Sequence, residues 1–92
     1  QKYTLYQNYP NPFNPVTNMA FDLPEQAYVT LLVYDIMGRE ISGIFDGDLS
    51  GGYYKFKWDG KHSSGHVAPS GIYFYRLTAG NFHQTRKMLI IK

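Results

Sequence analysis

The sequence contains no cysteine. That excludes a disulfide framework, a thiolate metal site and a cysteine nucleophile together. It leaves the compartment open, because a domain with an adequate core needs no disulfide outside the cell. Long apolar runs are also missing, and none approaches the roughly 20 residues that cross a bilayer as a helix. No signal peptide is visible. Charge of one sign is scarce: the net charge is +2, with acidic and basic residues interspersed. So weak a balance points to neither nucleic acid nor an anionic membrane, and neither nucleic-acid binding nor membrane insertion is expected. No stretch shows a helical period. The chain opens on QKYTLYQ without an initiator methionine, so it is expected to be a piece of a longer protein.

What is present reads as strands. Ninety-two residues make one domain with room for its own core, and 43% of them are hydrophobic, which fits a globular chain. Nine tyrosines, six phenylalanines and one tryptophan favour pleated sheet over helix. From Thr17 onward the pattern alternates with period two. In NMAFDL, Met19, Phe21 and Leu23 share a face until Pro24 stops the strand. YVTLLVYDI (28–36) reads as a central strand, apolar on both sides near its middle. After a turn at Met37-Gly38 comes REISGIF, with Gly43 marking a bulge. DGDLSGG (46–52) reads as a loop, and YYKFKWD as a strand with Tyr54, Phe56 and Trp58 on one face. A polar loop spans 59–71, with room for a short strand at Val67. IYFYRLTA, the Gly80-Asn81 turn and FHQTRKMLIIK form a hairpin expected to run to Lys92. About seven short antiparallel strands imply an all-β, immunoglobulin-like sandwich. The expected core holds Phe21, Val29, Leu31, Val33, Phe56, Trp58, Tyr73 and Leu77.

Chemistry finds little purchase. Acid–base catalysis needs two titratable groups gathered in a pocket. The carboxylates Asp22, Glu25, Asp35, Glu40, Asp46, Asp48 and Asp59 fall mostly at strand ends and turns, where short acidic side chains serve the backbone. No serine stands in a nucleophile elbow. DGDLSG copies the first half of a calcium loop, but the twelfth position, which needs a bidentate glutamate, is Lys57. His62 and His66 lie in a Gly/Ser loop, where their spacing defines no shared face. Neither an enzyme, a cofactor nor a metal is expected. Outward tyrosines such as Tyr28, Tyr34 and Tyr53, with Phe74, offer a stacking face for sugars or bases, though sheet propensity alone also places them.

The entrance is the odd feature. YPNPFNP (9–15) sets Pro10, Pro12 and Pro15 close together. Each fixes its own φ and gives no N–H to a sheet, and each drives the residue before it out of the helical region. Residues 1–16 therefore read as an extended Pro-rich lead-in to a sandwich over 17–92, serving as an edge cover, a guide or a recognition strip.

The run LYQNYPNPFNP, then FDLPE, VYDIMGRE, WDG, SGIYFYRLTAGNF and TRKMLIIK, resembles the type A C-terminal sorting domain of the type IX secretion system. It is also similar to the immunoglobulin-like domain of flagellar hook-capping proteins, which shares chiefly WDG and SG-x-Y. The resemblance covers Leu5 to Lys92. It implies a non-catalytic delivery label at the end of a secreted protein, behind an N-terminal cargo domain in the same chain. Its implied partners are an outer-membrane translocon and a sortase-like protease that removes the label, and its implied location is the cell surface, reached through the periplasm. Residues implied in recognition are Pro10, Asn11 and Pro12, and Lys87, Met88, Leu89, Ile90, Ile91 and Lys92. The shared motifs Trp58-Asp59-Gly60 and Ser70-Gly71-x-Tyr73 have a structural reading: Trp58 plugs the core, Asp59 and Gly60 shape a turn, and Gly71 permits unusual backbone. Tyr73 would bury its ring and give its hydroxyl to a backbone group. The alternative reading is a structural or adhesive accessory module, hook-cap-like or carbohydrate-binding.

Overall fold

The structure is a computed structural model and describes residues 2–92. Seven strands follow in order: β1 (Thr4–Leu5), β2 (Thr17–Leu23), β3 (Ala27–Tyr34), β4 (Glu40–Leu49), β5 (Gly52–Trp58), β6 (Gly71–Ala79) and β7 (Phe82–Ile90). They form a three-stranded sheet, β1-β2-β5, and a four-stranded sheet, β4-β3-β6-β7. Every strand pair is antiparallel. The fold is an immunoglobulin-like sandwich, as the alternation implies.

The alternation places the core. In β2, Thr17, Met19, Phe21 and Leu23 point inward and are buried; Val29, Leu31 and Val33 do the same from β3, and Tyr73, Tyr75, Leu77 and Ala79 from β6. β3 is central, between β4 and β6. Trp58 is 2% exposed. Phe56 departs from expectation: it is only half-buried, stacked at the rim between Phe21 and Phe45. The bulge falls beside Gly43, where the pairing of β3 with β4 jumps from Leu31↔Phe45 to Leu32↔Gly43 and leaves Ile44 over.

Several boundaries differ from the sequence reading. Asp46–Leu49 is not loop but the second half of β4, paired with Ala27–Thr30, so the turn shrinks to Ser50-Gly51. Pairing with a long central strand overrides the turn preference of Asp and Gly, a common result for sheets. β3 ends at Tyr34, where Asp35 begins a turn: its Oδ1 accepts the N–H groups of Met37 and Arg39, each at 2.9 Å. Around Val67 there is one bridge, to Lys61, and no strand. β7 stops at Ile90 rather than Lys92, and Ile91 is 50% exposed.

The lead-in departs most. It contains β1, and it buries Leu5, Asn8 and Phe13. It is not one extended run but bends around Pro10–Pro12 and Asn14–Pro15, with all three X–Pro bonds cis. The bends let it change sheets. Tyr9 bridges Asn18 of β2, and Phe13 bridges Ile90 of β7.

Candidate functional site

The two strips singled out for recognition meet. Asn11 and Leu89 lie 78 positions apart, yet the Leu89 N–H donates to Asn11 Oδ1 at 3.0 Å. Phe13 N donates to the Leu89 carbonyl and Ile91 N to the Phe13 carbonyl, both at 3.0 Å. Farther along, the Gln7 amide donates to the Lys87 carbonyl at 2.8 Å, and Arg86 Nε to the Leu5 carbonyl at 2.6 Å. Lys92 N donates to Ser70 Oγ at 3.1 Å. The outer backbone edge of β7 is thereby occupied from Lys87 to Ile91, which removes the template an open edge offers another chain.

Side chains are what this face has left to show. Asn11, Pro12, Ile72, Lys87, Met88 and Leu89 line a groove of about 340 Å³. Its floor is apolar because Met88 faces the core and Leu89 and Ile72 face out. Lys87 is exposed at one side, and Lys92 and Ile91 are exposed beyond. Neither lysine has a carboxylate partner among the described residues; Arg39 with Asp35, at 2.9 Å, is the ion pair found there.

Beneath the strip, the shared motifs act as its foundation. Phe13 meets Trp58 edge-on at 5.8 Å, and Trp58 meets Tyr73 likewise at 6.0 Å. Trp58 Nε1 donates to the Lys61 carbonyl at 2.9 Å, so the buried indole keeps its hydrogen bond. Asp59 Oδ1 accepts the Lys61 N–H at 3.1 Å. Gly60 has φ +78°, and a Cβ there would lie 2.8 Å from the Pro15 carbonyl oxygen, so glycine is required where the lead-in crosses. Gly71 opens β6 with φ +149°. Tyr73 donates to the Pro69 carbonyl at 2.6 Å, four residues upstream, the tyrosine-corner arrangement. Burial, the main cause, raises its pKa.

A buried polar knot fastens the lead-in from the other side. The Asn8 N–H donates to the Tyr75 hydroxyl, which donates to the Tyr6 carbonyl, both at 2.7 Å. Asn8 Nδ2 donates to Thr17 Oγ1 at 2.9 Å, and Thr17 Oγ1 to the Pro10 carbonyl at 2.8 Å. Burial pushes the Tyr75 pKa up to about 12. Among the described residues no buried side-chain N or O lacks a partner. Asn8, Phe13 and Tyr75 went unnoticed in the sequence as anchors. The signal available was Phe13, a lone large apolar side chain among prolines and asparagines.

The candidates for chemistry stay apart. The backbone ties of Arg39 and Met37, with Arg39 the larger influence, hold the Asp35 carboxyl below its ordinary pKa, and it serves its own turn. Asp46 and Asp48 are held in β4, and Asp46 accepts from the Tyr28 hydroxyl. His62 N donates to the His66 carbonyl at 2.8 Å, closing a loop. No group of three or more metal-ligating side chains occurs among the described residues. Of the outward aromatics, Tyr28 and Tyr53 are exposed, while Tyr34 and Phe74 are half-buried.

The profile of the FlgD Ig-like domain family matches residues 9–82. The basal-body rod modification protein FlgD of Salmonella typhimurium (strain LT2) is 38% identical over 53 residues, 58% of this chain and 23% of that protein. The chain thus spans about a quarter of its curated relative, and the same figures hold for FlgD of Salmonella typhi. Among solved structures, FlgD from P. aeruginosa aligns over 80% of this chain and 58% of its own, with a TM-score of 0.62 at 28% identity. Dimeric latent PorU from Porphyromonas gingivalis aligns over 99% of this chain and 10% of its own, with a TM-score of 0.76 at 18% identity. PorZ, an essential surface component of the type IX secretion system of that organism, aligns over 98% of this chain and 11% of its own, at 0.64 and 18%. At 18% identity PorU and PorZ share the fold alone. A sandwich whose WDG and SG-x-Y motifs brace a strip beginning at Tyr9, within a profile match over 9–82, belongs to the FlgD Ig-like domain family.

Proposed function

We propose that this domain is a sorting label of the type IX secretion kind, read by an outer-membrane translocon and itself non-catalytic. The observation that carries the reading is the joining of the Pro10–Pro12 strip to Lys87–Leu89 in one groove, with the backbone edge already occupied. A rigid face of this sort costs a partner little ordering entropy. In this reading the cargo precedes the label in the chain, the route runs through the periplasm to the cell surface, and a sortase-like protease removes the label. Shared fold with PorU and with the type IX component PorZ agrees with that setting.

A second reading is a structural accessory module like that of FlgD, favoured by the family match and by the 38% identity to the Salmonella protein. One experiment separates them. A periplasmic reporter fused ahead of residues 1–92 is expected outside the cell in a bacterium with a type IX system, and in the periplasm of a mutant lacking the translocon. Retention of a folded fusion in the periplasm of both strains would leave the structural module standing.

A further inference from the structure

A second face of the molecule is untouched by that reading. On the outer side of the three-stranded sheet, Tyr6, Tyr9 and Tyr53 are 40%, 79% and 60% exposed. They surround a hollow of about 270 Å³ whose lining also includes Gln7, Asn18, Ala20 and Lys55. The register explains the hollow. Ala20 lies opposite Lys55 on β5, and the Tyr6 N–H donates to the Ala20 carbonyl, so the smallest side chain of the row forms the floor between aromatic walls. Tyr6 and Tyr53 stand edge-to-face with centroids 6.2 Å apart, and the Tyr6 hydroxyl donates to Asp22. None of these rings serves the core, and a cluster of exposed apolar surface on a monomer marks a contact site more often than chance placement does.

We propose that this hollow binds a pyranose ring of an oligosaccharide. The lining contains no Leu, Ile, Val, Met or Phe. Its apolar surface is tyrosine ring and one methyl group, whereas a protein-docking patch of standard size, about 800 Å² per partner, is built around a packed apolar centre. A pyranose is apolar on its C–H faces and polar all round its rim. The tyrosine rings match the faces, each presenting a large rigid surface with a polar tip. The rim finds donors and acceptors together. Among the described residues Lys55 has no hydrogen-bond or ion-pair partner, and Asn18 and Gln7 use only their NH₂ groups, which leaves both amide oxygens to accept. Asp22, which accepts from the Tyr6 hydroxyl and pairs across the strands with Tyr53, puts a carboxylate beside the hollow, a poor match for a phosphate backbone.

The test is an amide NMR titration of the isotopically labelled 92-residue chain with cellohexaose, xylohexaose, chitohexaose and maltohexaose, and with oligothymidylate. At least one sugar is expected to shift the amides of Tyr6, Asn18, Ala20 and Tyr53 saturably. Tyr9→Ala, at a ring that supports nothing in the fold, is expected to weaken that binding by at least about tenfold. Ala20→Phe, which fills the floor while keeping every tyrosine, is expected to abolish it, with the melting temperature of both variants unchanged. Silence of these amides towards all four sugars at millimolar concentration overturns the proposal. So does sugar binding that survives both substitutions, or tighter binding of oligothymidylate than of any sugar.

Discussion

Tyr75 shows how one side chain ties the lead-in to the core. Its ring is fully buried, and its hydroxyl accepts from Asn8 N and donates to the Tyr6 carbonyl. Tyr75→Phe keeps the ring but strands the buried Asn8 N–H and the part-buried Tyr6 carbonyl, which costs about 1–3 kcal/mol by denaturant unfolding. A loss under about 0.5 kcal/mol, an ordinary surface value, contradicts the knot. The same group sets an alkaline limit. Its folded pKa of about 12 lies above the ordinary 10.0, so the stabilisation is complete below pH 10 and is lost as pH rises through 12. The stability gap between wild type and Tyr75→Phe is therefore expected to narrow across that window. A gap that widens there reverses the sign. Trp58 is the other test at this scale: Trp58→Ala removes a buried ring that touches both Phe13 and Tyr73, and is expected to cost about 3–5 kcal/mol. A loss below about 1 kcal/mol would be incompatible with its burial.

Among the elements, β7 and the lead-in depend on each other. Met88 and Ile90 face the core, while Lys87 and Lys92 are exposed and unpaired within the described residues. Changing both lysines to Ala is accordingly expected to shift unfolding by no more than about 0.5 kcal/mol, and a loss above about 1.5 kcal/mol would give them a structural role instead. β4 is the element whose chemistry the sequence most invites one to misread. Asp46 and Asp48 sit in extended, paired backbone, and Lys57 stands where a calcium loop needs its carboxylate. A chelator is expected to leave the melting temperature unchanged, and a calcium-induced rise of several degrees would contradict that. β2, β5 and β6 were legible because alternate residues turn inward, buried in β2 and β6 and half-buried in β5 as far as Trp58, a pattern written locally along the strand. The bracing of Phe13 by Trp58, and of Leu89 by Asn11, was not. Pairing across 78 positions leaves no local period, and β1 is only two residues long. For the same reason each strip could be picked out by its family resemblance, yet nothing in either strip announced that they touch.

For the whole molecule, the N-terminal segment closes one side of the sandwich, bridging β2 through Tyr9 and β7 through Phe13. On the other side β4 and β5, the opposite edges of the two sheets, are joined by the Ser50-Gly51 turn. Both proposed sites flank the lead-in, one at Asn11 and Pro12 and the other at Tyr6 and Tyr9. If the domain is a sorting label, the two strips are read as one face. A signal read from the last residues alone would ignore Asn11, while a joint face would not. The decisive measurement is the fraction of reporter found outside the cell when the fused domain carries Asn11→Ala, set beside the wild-type fusion in the same strain. Asn11 is exposed and accepts one hydrogen bond from the Leu89 N–H, a bond worth about 0.5–1.5 kcal/mol, so the domain stays folded and a thermal melt checks it. The expected result is wild-type reporter outside and Asn11→Ala reporter held largely in the periplasm. Equal export of the two folded fusions would contradict the account.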